Sequence, residues 1–236
     1  MPTFALDTAT ASPSLALVRG DAPIAELWLS AEPGSGRRVL EAAHGMLTAA
    51  GLSVRAIDGI VVGVGPGGFT GLRIGIATAL GLGQALGVPV TGASSLEALA
   101  LGVAEAAPEG AIVAPVLDAR RRELFAAAYR AGPEGRLDEL VSPAALAPAE
   151  LARILAGLDE EVWLGGEGLA AGGDALEGAA MRHLPPGATG HRIRAAALAQ
   201  RVAAGAGLPA RPVYARLPDA EVNRLAAAVA AAHEPA

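Results

Sequence analysis

The 236-residue chain contains no cysteine and no lysine, and only 3% of its residues are aromatic. The absence of cysteine excludes disulfides, thiolate nucleophiles and cysteine-based metal sites. Because aromatic residues are so few, leucine, valine, isoleucine and alanine must form the core, which favours packed helices and buried strands over an aromatic-rich β-sandwich. Every basic residue is arginine, as is typical of a GC-rich genome, so the choice of arginine over lysine carries no functional signal.

Positive charge is also in short supply, since 24 acidic residues face 18 basic ones and the net charge is −6. Such a surface does not attract nucleic acid by itself, so a partner is expected to hold any RNA. The N-terminus lacks the basic and apolar regions of a signal peptide. Residues 74–93 carry no charge, but Gly87 and Pro89 interrupt them, which indicates a core helix and strand rather than a membrane span. We expect a soluble cytoplasmic protein.

The two halves of the chain show the same order of predicted elements. Each half begins with strands and continues with alternating strands and helices, which favours two similar α/β lobes over one doubly wound sheet. Residues 1–107 are predicted to form the first lobe, and residues 108–236 a smaller second lobe whose C-terminal helix packs back. The predicted helices are 37–50, 70–86, 94–107, 148–157, 193–204 and 219–232; the predicted strands are 3–7, 14–18, 24–29, 57–64, 88–92, 111–117, 123–129, 137–141 and 161–165.

Two segments of the first half could contact phosphates. Asp7-Thr8-Ala9-Thr10 follows the first strand, and its oxygens could meet a metal ion and phosphates, although an ordinary Asx or Thr turn is favoured. Residues 63–73 lead from a strand through a glycine-rich turn into a helix, with Thr70 as the predicted N-cap. Free N–H groups there could bind an anion, or the glycines could simply let the strand and helix approach closely.

The helix predicted over residues 70–86 carries a stripe of small residues. Gly71, Gly75, Ala79 and Gly83 recur at every fourth position. Glycine inside a helix costs roughly 1 kcal/mol relative to alanine, so the stripe needs a close backbone neighbour to explain it. That neighbour is either another part of this chain, which is the favoured interpretation, or a partner helix.

The second half offers two further motifs, and neither is specific by itself. The charged run 118–123 is predicted to join two strands, where it could be solvated, order the turn or contact the first lobe. Gly165-Gly166-Glu167-Gly168 could pack against an adenine or form an ordinary strand-to-helix turn. The four histidines lack the spacing of a helical metal pair, and no nucleophile elbow is present. The chain therefore offers no convincing catalytic constellation and no metal site.

Taken together, the motifs resemble the TsaB (YeaZ) family. The similarity is carried by DTAT near the N-terminus, VGVGPGGFTGLR in residues 62–73, VLDARRRELFAAAY in residues 116–129 and PVYAR in residues 212–216. It implies an α/β, two-lobed actin-like ATPase (ASKHA, ribonuclease H-like) fold with mixed sheets flanked by helices. It also implies a non-catalytic subunit for threonylcarbamoylation of the adenosine next to the tRNA anticodon, which binds and activates the TsaD transferase together with TsaE.

Departures from the TsaD motifs are consistent with the role of a non-catalytic subunit that the resemblance implies. Ser95 and Leu99 occupy the positions of the metal-binding His-x-x-x-His pair, and Arg120 stands where TsaD has small residues near phosphates. The resemblance therefore implies weak or absent nucleotide binding, with nucleotide at a partner interface still open. It implies contact with tRNA only through the complex, and homodimers when the partner is absent.

The resemblance also assigns site residues. The partner interface is expected on two first-lobe helices, at Arg37, Val39, Leu40, His44, Leu47, Gly71, Ile74, Gly75, Thr78, Ala79, Leu82 and Gly83. Vestigial nucleotide or interface contacts are expected at Asp7, Thr8, Thr10, Gly67, Phe69, Thr70, Arg73, Asp118, Arg120 and Glu123. The alternative function is an actin-fold ATPase or small-molecule kinase that uses Asp7 and Thr10 on phosphates.

Overall fold

The computed structural model describes residues 1–216, apart from residues 21, 33 and 35–37. The helix predicted over residues 219–232 lies outside the described residues. The strands are β1 Thr3–Asp7, β2 Ser14–Arg19, β3 Ala22–Trp28, β4 Gly59–Gly63, β5 Val90–Ala93, β6 Ile112–Arg120, β7 Glu123–Ala131, β8 Leu137–Leu146, β9 Val162–Gly165 and β10 Met181–His183. The α-helices are α1 Val39–Ala49, α2 Phe69–Leu86, α3 Ser95–Ala104, α4 Pro148–Ala156, α5 Leu169–Gly172 and α6 Ala195–Ala203.

The strands form two five-stranded sheets with the same order. The first sheet runs β3-β2-β1-β4-β5 and the second β8-β7-β6-β9-β10. In each sheet the first three strands pair antiparallel, and the last two pair parallel to the central strand and to each other. This repetition of one mixed sheet, with helices on its faces, confirms the predicted two-lobed actin-like fold.

Helices and sheets alternate in layers around three apolar cores. Helices α1 and α2 cover one face of the first sheet, where Phe4, Leu6 and Ile60 are buried. Helices α3 and α6 fill the space between the two sheets and form the central core. Helix α4 covers the far face of the second sheet. The two lobes therefore share a continuous interior, although α6 comes from the second half of the chain.

Most element boundaries agree with the sequence prediction, and Ser94 caps α3 by accepting a hydrogen bond from the Glu97 N–H. One prediction is corrected: the N-cap of α2 is Gly68, so Thr70 lies within the first turn. Strand β6 also continues to Arg120, which shortens the hairpin connection to two residues. Helix α5 and strand β10 were not predicted from the sequence.

No helix among the described residues is long and apolar enough to cross a membrane.

The small-residue stripe of α2 faces the interior of this chain. A Cβ atom on Gly71 would lie 2.1 Å from the Thr8 carbonyl oxygen, and one on Gly75 would lie 2.1 Å from Thr8 Oγ1. A Cβ on Gly83 would lie 2.3 Å from Val90 Cγ2, and Ala79 is fully buried. The prediction that the stripe contacts a partner is therefore wrong, because the chain's own first turn and β5 already occupy that space.

Replacing Gly75 with alanine should destabilise the protein by about 1–3 kcal/mol, because the new methyl group would collide with Thr8. The matched control is Gly81→Ala in the same helix, since a Cβ there meets nothing within 4 Å. The control should stabilise the protein by up to about 1 kcal/mol through helix propensity alone. Urea unfolding of both variants measures the difference, and equal effects would contradict the internal packing of the stripe.

Candidate interlobe site and partner-facing helices

The Asp7 side chain is enclosed by its own chain at the end of β1. Ser95 Oγ donates a hydrogen bond to Asp7 Oδ2 at 2.6 Å, and the Ala9 N–H donates to Asp7 Oδ1 at 2.7 Å. Only 2% of Asp7 is exposed. A Cβ on Gly63 would lie 1.8 Å from Asp7 Oδ2, so glycine is required for the carboxyl group to fit. These contacts form an Asx turn, which the sequence also allowed.

Burial raises the pKa of Asp7 above its ordinary value of 3.8, although the hydrogen bonds from Ser95 and Ala9 act in the opposite direction. An acid with a raised pKa in the folded state ionises first in the unfolded chain as the pH rises. The stabilising contribution is therefore complete below the unfolded pKa, and it is lost as the pH rises through the folded pKa. Asp7 thus makes the fold more stable in acid than at neutral pH, relative to a residue that does not titrate.

The glycine-rich turn packs against the first turn of the chain. The Gly68 N–H donates to the Ala9 carbonyl oxygen at 2.7 Å, and the Ala9 N–H is already used by Asp7. A Cβ on Gly67 would lie 2.5 Å from the Ala9 Cβ. Thr8 Oγ1 donates to the Gly71 carbonyl at 2.7 Å. The first turn and the start of α2 thus pack directly on each other, which matches the close-approach alternative for residues 63–73.

Thr10 lies beyond this packed turn, at the edge of the space between the lobes. Its hydroxyl oxygen accepts a hydrogen bond from the Ser12 N–H at 3.3 Å, as in an ordinary Ser/Thr turn. Thr10 and Glu167 line two neighbouring cavities of about 560 and 650 Å³, which together form the interlobe cleft. Ala9 and Thr10 are therefore the residues of the DTAT motif that line the cleft.

The larger cavity has a charged wall from the second lobe, formed by the tip of the β6–β7 hairpin. Arg120, Arg121 and Arg122 all have positive φ, at 62°, 56° and 63°. Residues other than glycine pay about 1 kcal/mol or more for such a conformation. Arg120 is held to Asp118 by an ion pair of 3.0 Å and by its N–H, which donates to Asp118 Oδ1 at 2.7 Å.

The Gly165–Gly168 turn packs against its own lobe. A Cβ on Gly166 would lie 2.0 Å from the Val116 carbonyl oxygen, and one on Gly168 would lie 2.5 Å from the Leu117 carbonyl carbon. The Gly166 N–H donates to His191 Nδ1 at 3.3 Å, which orders the turn from the other side. These contacts are those of a tight strand-to-helix turn, and they account for Gly166 and Gly168 without an adenine.

The segment 208–216 connects the two lobes across the larger cavity, and sequence reasoning noted it only as the family signature PVYAR. Leu208 and Gly92 exchange two backbone hydrogen bonds of 2.7 and 2.8 Å, and the Val213 N–H donates to the Val64 carbonyl at 2.8 Å. Arg216 then reaches Glu123 of the second lobe at 2.6 Å. The sequence feature that could have indicated its importance is the apolar and aromatic content of this segment.

Phe69 and Tyr214 form an aromatic pair at the cleft. Their ring centroids are 5.6 Å apart in a stacked arrangement, and they are exposed by 49% and 40%. The Arg73 guanidinium carbon lies 3.9 Å from the Phe69 ring centroid, and Arg73 Nε donates to the Tyr214 hydroxyl at 3.4 Å. The fold therefore places the predicted residues Gly67, Phe69, Asp118 and Arg120 around one cleft. Arg73 lies beside it through its contacts with Phe69 and Tyr214.

The predicted interface residues of α1 and α2 separate into two groups. Val39 and Leu47 of α1 are buried beneath the helix, like Gly75, Ala79 and Gly83 of α2, so these five are corrected to core positions. Arg37 lies outside the described residues. Leu40 and His44 are exposed, while Ile74, Thr78 and Leu82 are half-buried. Their contact with a partner stays a prediction.

Among the described residues, two helical glycines have no neighbour that explains them by packing. Gly45 in α1 and Gly81 in α2 are both exposed, and a Cβ on either would meet nothing within 4 Å. Leu40 and Leu80 on the same helices are 53% and 46% exposed. The outer faces of α1 and α2 thus combine exposed leucines with glycines that cost helix stability.

No group of three or more His, Cys, Asp or Glu side chains that could hold a metal ion occurs within the described part of the chain. Ser95 is engaged by Asp7, and Leu99 is fully buried in the central core. The predicted lack of a metal site stays a prediction.

The duplicated sheet, the enclosed turn and the interlobe cleft define a two-lobed protein of the actin-like ATPase class. A family model described as "TsaD: tRNA N6-adenosine threonylcarbamoyltransferase" matches residues 31–215, which is most of the chain. The chain therefore belongs to this family, and several of its relatives are named TsaB or YeaZ.

Individual relatives support the same grouping. The TsaB protein of Bacillus subtilis is 33% identical over 130 residues, which cover 55% of this chain and 56% of that protein. The TsaB protein of Escherichia coli is 34% identical over 57% of this chain and 58% of its own. These alignments thus span little more than half of each relative. A solved structure of YeaZ from Pseudomonas aeruginosa has a TM-score of 0.75 and 28% identity, covering 90% of this chain and 99% of that one.

Asp7→Asn should remove a pH dependence of stability, because the amide does not titrate and the raised pKa of Asp7 disappears with it. The free energy of unfolding of the unaltered protein, relative to the variant, should fall as the pH rises from about 4 to about 7. Urea unfolding across this range measures it. The exposed Asp174→Asn change serves as the control, and parallel stability curves for the unaltered protein and Asp7→Asn would refute the effect.

Proposed function

We propose that this protein is a non-catalytic subunit for threonylcarbamoylation of the adenosine next to the anticodon in tRNAs. It binds and activates a TsaD-like transferase in the cytoplasm and works with a TsaE-like ATPase. In this proposal the tRNA is engaged through the complex, and two copies pair through the same helices when the transferase is absent. Family membership and the names of the TsaB relatives support the pathway.

The enclosed carboxyl group of Asp7 carries the non-catalytic part of the proposal. A catalytic or metal-binding carboxylate must present an oxygen to its substrate or ion, whereas both oxygens of Asp7 accept hydrogen bonds from Ser95 and Ala9 within a buried turn. Gly63 packs directly against this carboxyl group, and Gly67 packs against the neighbouring Ala9. The alternative function, a kinase or ATPase, requires Asp7 and Thr10 to act on phosphates. The enclosed position of Asp7 argues against it.

The outer faces of α1 and α2 are the proposed surface for the transferase. Both helices pack on the same face of the first sheet, so the exposed sides of both face away from that sheet. Gly45 and Gly81 would permit a partner helix to approach closely, and Leu40 and Leu80 supply apolar contact area. This surface lies on the two helices that were predicted to form the interface. Its exposed leucines and glycines take the place of the buried small-residue stripe.

The decisive experiment reconstitutes tRNA modification with and without this chain. The organism's transferase, its TsaE-like ATPase and an enzyme that supplies the threonylcarbamoyl adenylate are combined with unmodified tRNA, and modified adenosine is measured by mass spectrometry. Modification should depend on this chain, and Asp7→Asn should retain the dependence because the proposal gives Asp7 no chemical role. Full modification without the chain would contradict the proposal, and loss of activity in a stably folded Asp7→Asn would favour the enzymatic alternative.

Leu80→Arg should disrupt the complex by placing a charge in an apolar contact. Loss of an apolar anchor of this kind weakens binding by about tenfold or more. Leu140→Arg is the matched control, since Leu140 is 40% exposed on β8 of the other lobe. Co-elution of each variant with the transferase on size-exclusion chromatography is the measurement. Equal co-elution of Leu80→Arg and the control would reject α2 as the interface.

A further inference from the structure

The mouth of the interlobe cleft concentrates positive charge on an otherwise acidic protein. Arg120 and Arg121 line the larger cavity together with Arg216, Arg122 completes the same hairpin tip, and Arg73 lies over the aromatic pair. Five of the 18 basic residues thus lie at or beside one opening, although the whole chain has a net charge of −6. Three acidic residues share this place, Asp118, Glu123 and Glu167, and the first two form ion pairs with Arg120 and Arg216, so arginines exceed carboxylates by two. We call this group of arginines, with Phe69 and Tyr214, the cleft patch.

The backbone of the hairpin tip supplies an independent observation. Arg121 and Arg122 are the two central residues of the turn between β6 and β7, and both have positive φ. A two-residue hairpin turn with positive φ at both positions strongly favours Asn-Gly. Here both positions are arginine, so the sequence accepts an unfavourable turn and keeps Arg121 in the cavity wall and Arg122 at the adjoining hairpin tip. Strained backbone of this kind is typical of functional sites.

The aromatic pair adds a surface on which a base can stack. Proteins that bind single-stranded nucleic acid combine arginines along the backbone path with exposed aromatic rings, because every base has a flat face that stacks on them. Phe69 and Tyr214 are both large, partly exposed and already stacked within the patch. An acidic protein segment would also be attracted by the arginines, but it has no bases to stack on the two rings.

We propose that the cleft patch binds single-stranded RNA directly, with Arg121 and Arg122 on phosphates and Tyr214 stacked on a base. This inference rests on the proposed function, which brings the loop of a tRNA to the complex, and it adds a contact made by this chain itself. Phe69 and Arg73 of the patch begin α2, but Arg121, Arg122 and Tyr214 lie outside the helices of the proposed transferase surface. The two surfaces can therefore be tested separately.

The test replaces Arg121 and Arg122 by Asn and Gly, which removes two guanidinium groups and installs the preferred turn residues. The probe is a fluorescein-labelled anticodon stem-loop RNA, titrated with the full chain at low salt and followed by anisotropy. The variant should bind about tenfold more weakly, and the slope of log Kd against log salt should fall by about 1.4, because two phosphate contacts are lost. Its stability in urea should be unchanged or higher.

The double change Arg19→Gln with Arg153→Gln is the matched control, because it also removes two positive charges. Arg19 lies at the C-terminal end of β2 and Arg153 lies in α4. RNA affinity should stay within about twofold of the unaltered chain, since neither residue belongs to the patch. The inference is overturned if the unaltered chain does not bind the RNA, if the turn variant binds it unchanged, or if the control loses as much affinity.

Tyr214→Leu tests the stacking platform while it keeps apolar bulk beside Phe69. Loss of one stacked base should weaken RNA binding by about tenfold without changing the salt slope, because no charge is removed. Unchanged affinity would eliminate Tyr214 as the platform. The turn variant should still co-elute with the transferase; loss of co-elution with unaltered RNA affinity would overturn the inference in favour of a protein contact. Failure of the reconstituted modification would instead count against the proposed function.

Discussion

The first lobe depends on the close packing of the Asp7–Ala9 turn against the glycines that precede and begin α2. The turn carbonyl groups, the Thr8 hydroxyl and the Asp7 carboxyl group lie where Cβ atoms of Gly63, Gly67, Gly71 and Gly75 would otherwise stand. Direct hydrogen bonds from Thr8 Oγ1 to Gly71 and from Gly68 to Ala9 then join the two segments. Because these contacts set the position of α2 against β1 and β4, they also determine which side of that helix is left exposed.

This packing distinguishes two explanations of helical glycines, contact within the chain and contact with a partner. A glycine stripe on a helix indicates close approach, but it does not indicate whose backbone approaches. In this protein Thr8 and Val90 fill the space over the stripe. Gly45 within α1 and Gly81 within α2 have no such neighbour among the described residues; both are exposed, and Gly81 falls outside the four-residue period of the stripe. A search for periodic small residues therefore finds the core, whereas the proposed interface becomes visible only when each missing Cβ is placed in the structure.

Much of the architecture could be predicted from sequence because strand and helix periodicities are local, and because the same order of elements occurs twice. The ends of α2 and β6 were less accurate for a physical reason: Gly68 caps α2 without a side-chain hydrogen bond, and positive φ angles at arginine carry no signature in sequence. The path of residues 208–216 was also out of reach. Its anchors are backbone hydrogen bonds to Gly92 and Val64, which lie more than a hundred positions earlier in the chain.

Local charge changes what the acidic composition means for RNA. Net charge governs long-range attraction, but screening limits it to about 10 Å at moderate salt, so a compact group of arginines acts largely on its own surroundings. Arginine in place of lysine is explained by composition here and carries no weight. Arginine in place of Asn-Gly is different, because the turn geometry opposes it at both Arg121 and Arg122. The argument for the cleft patch therefore rests on a position where local folding preference and residue identity disagree.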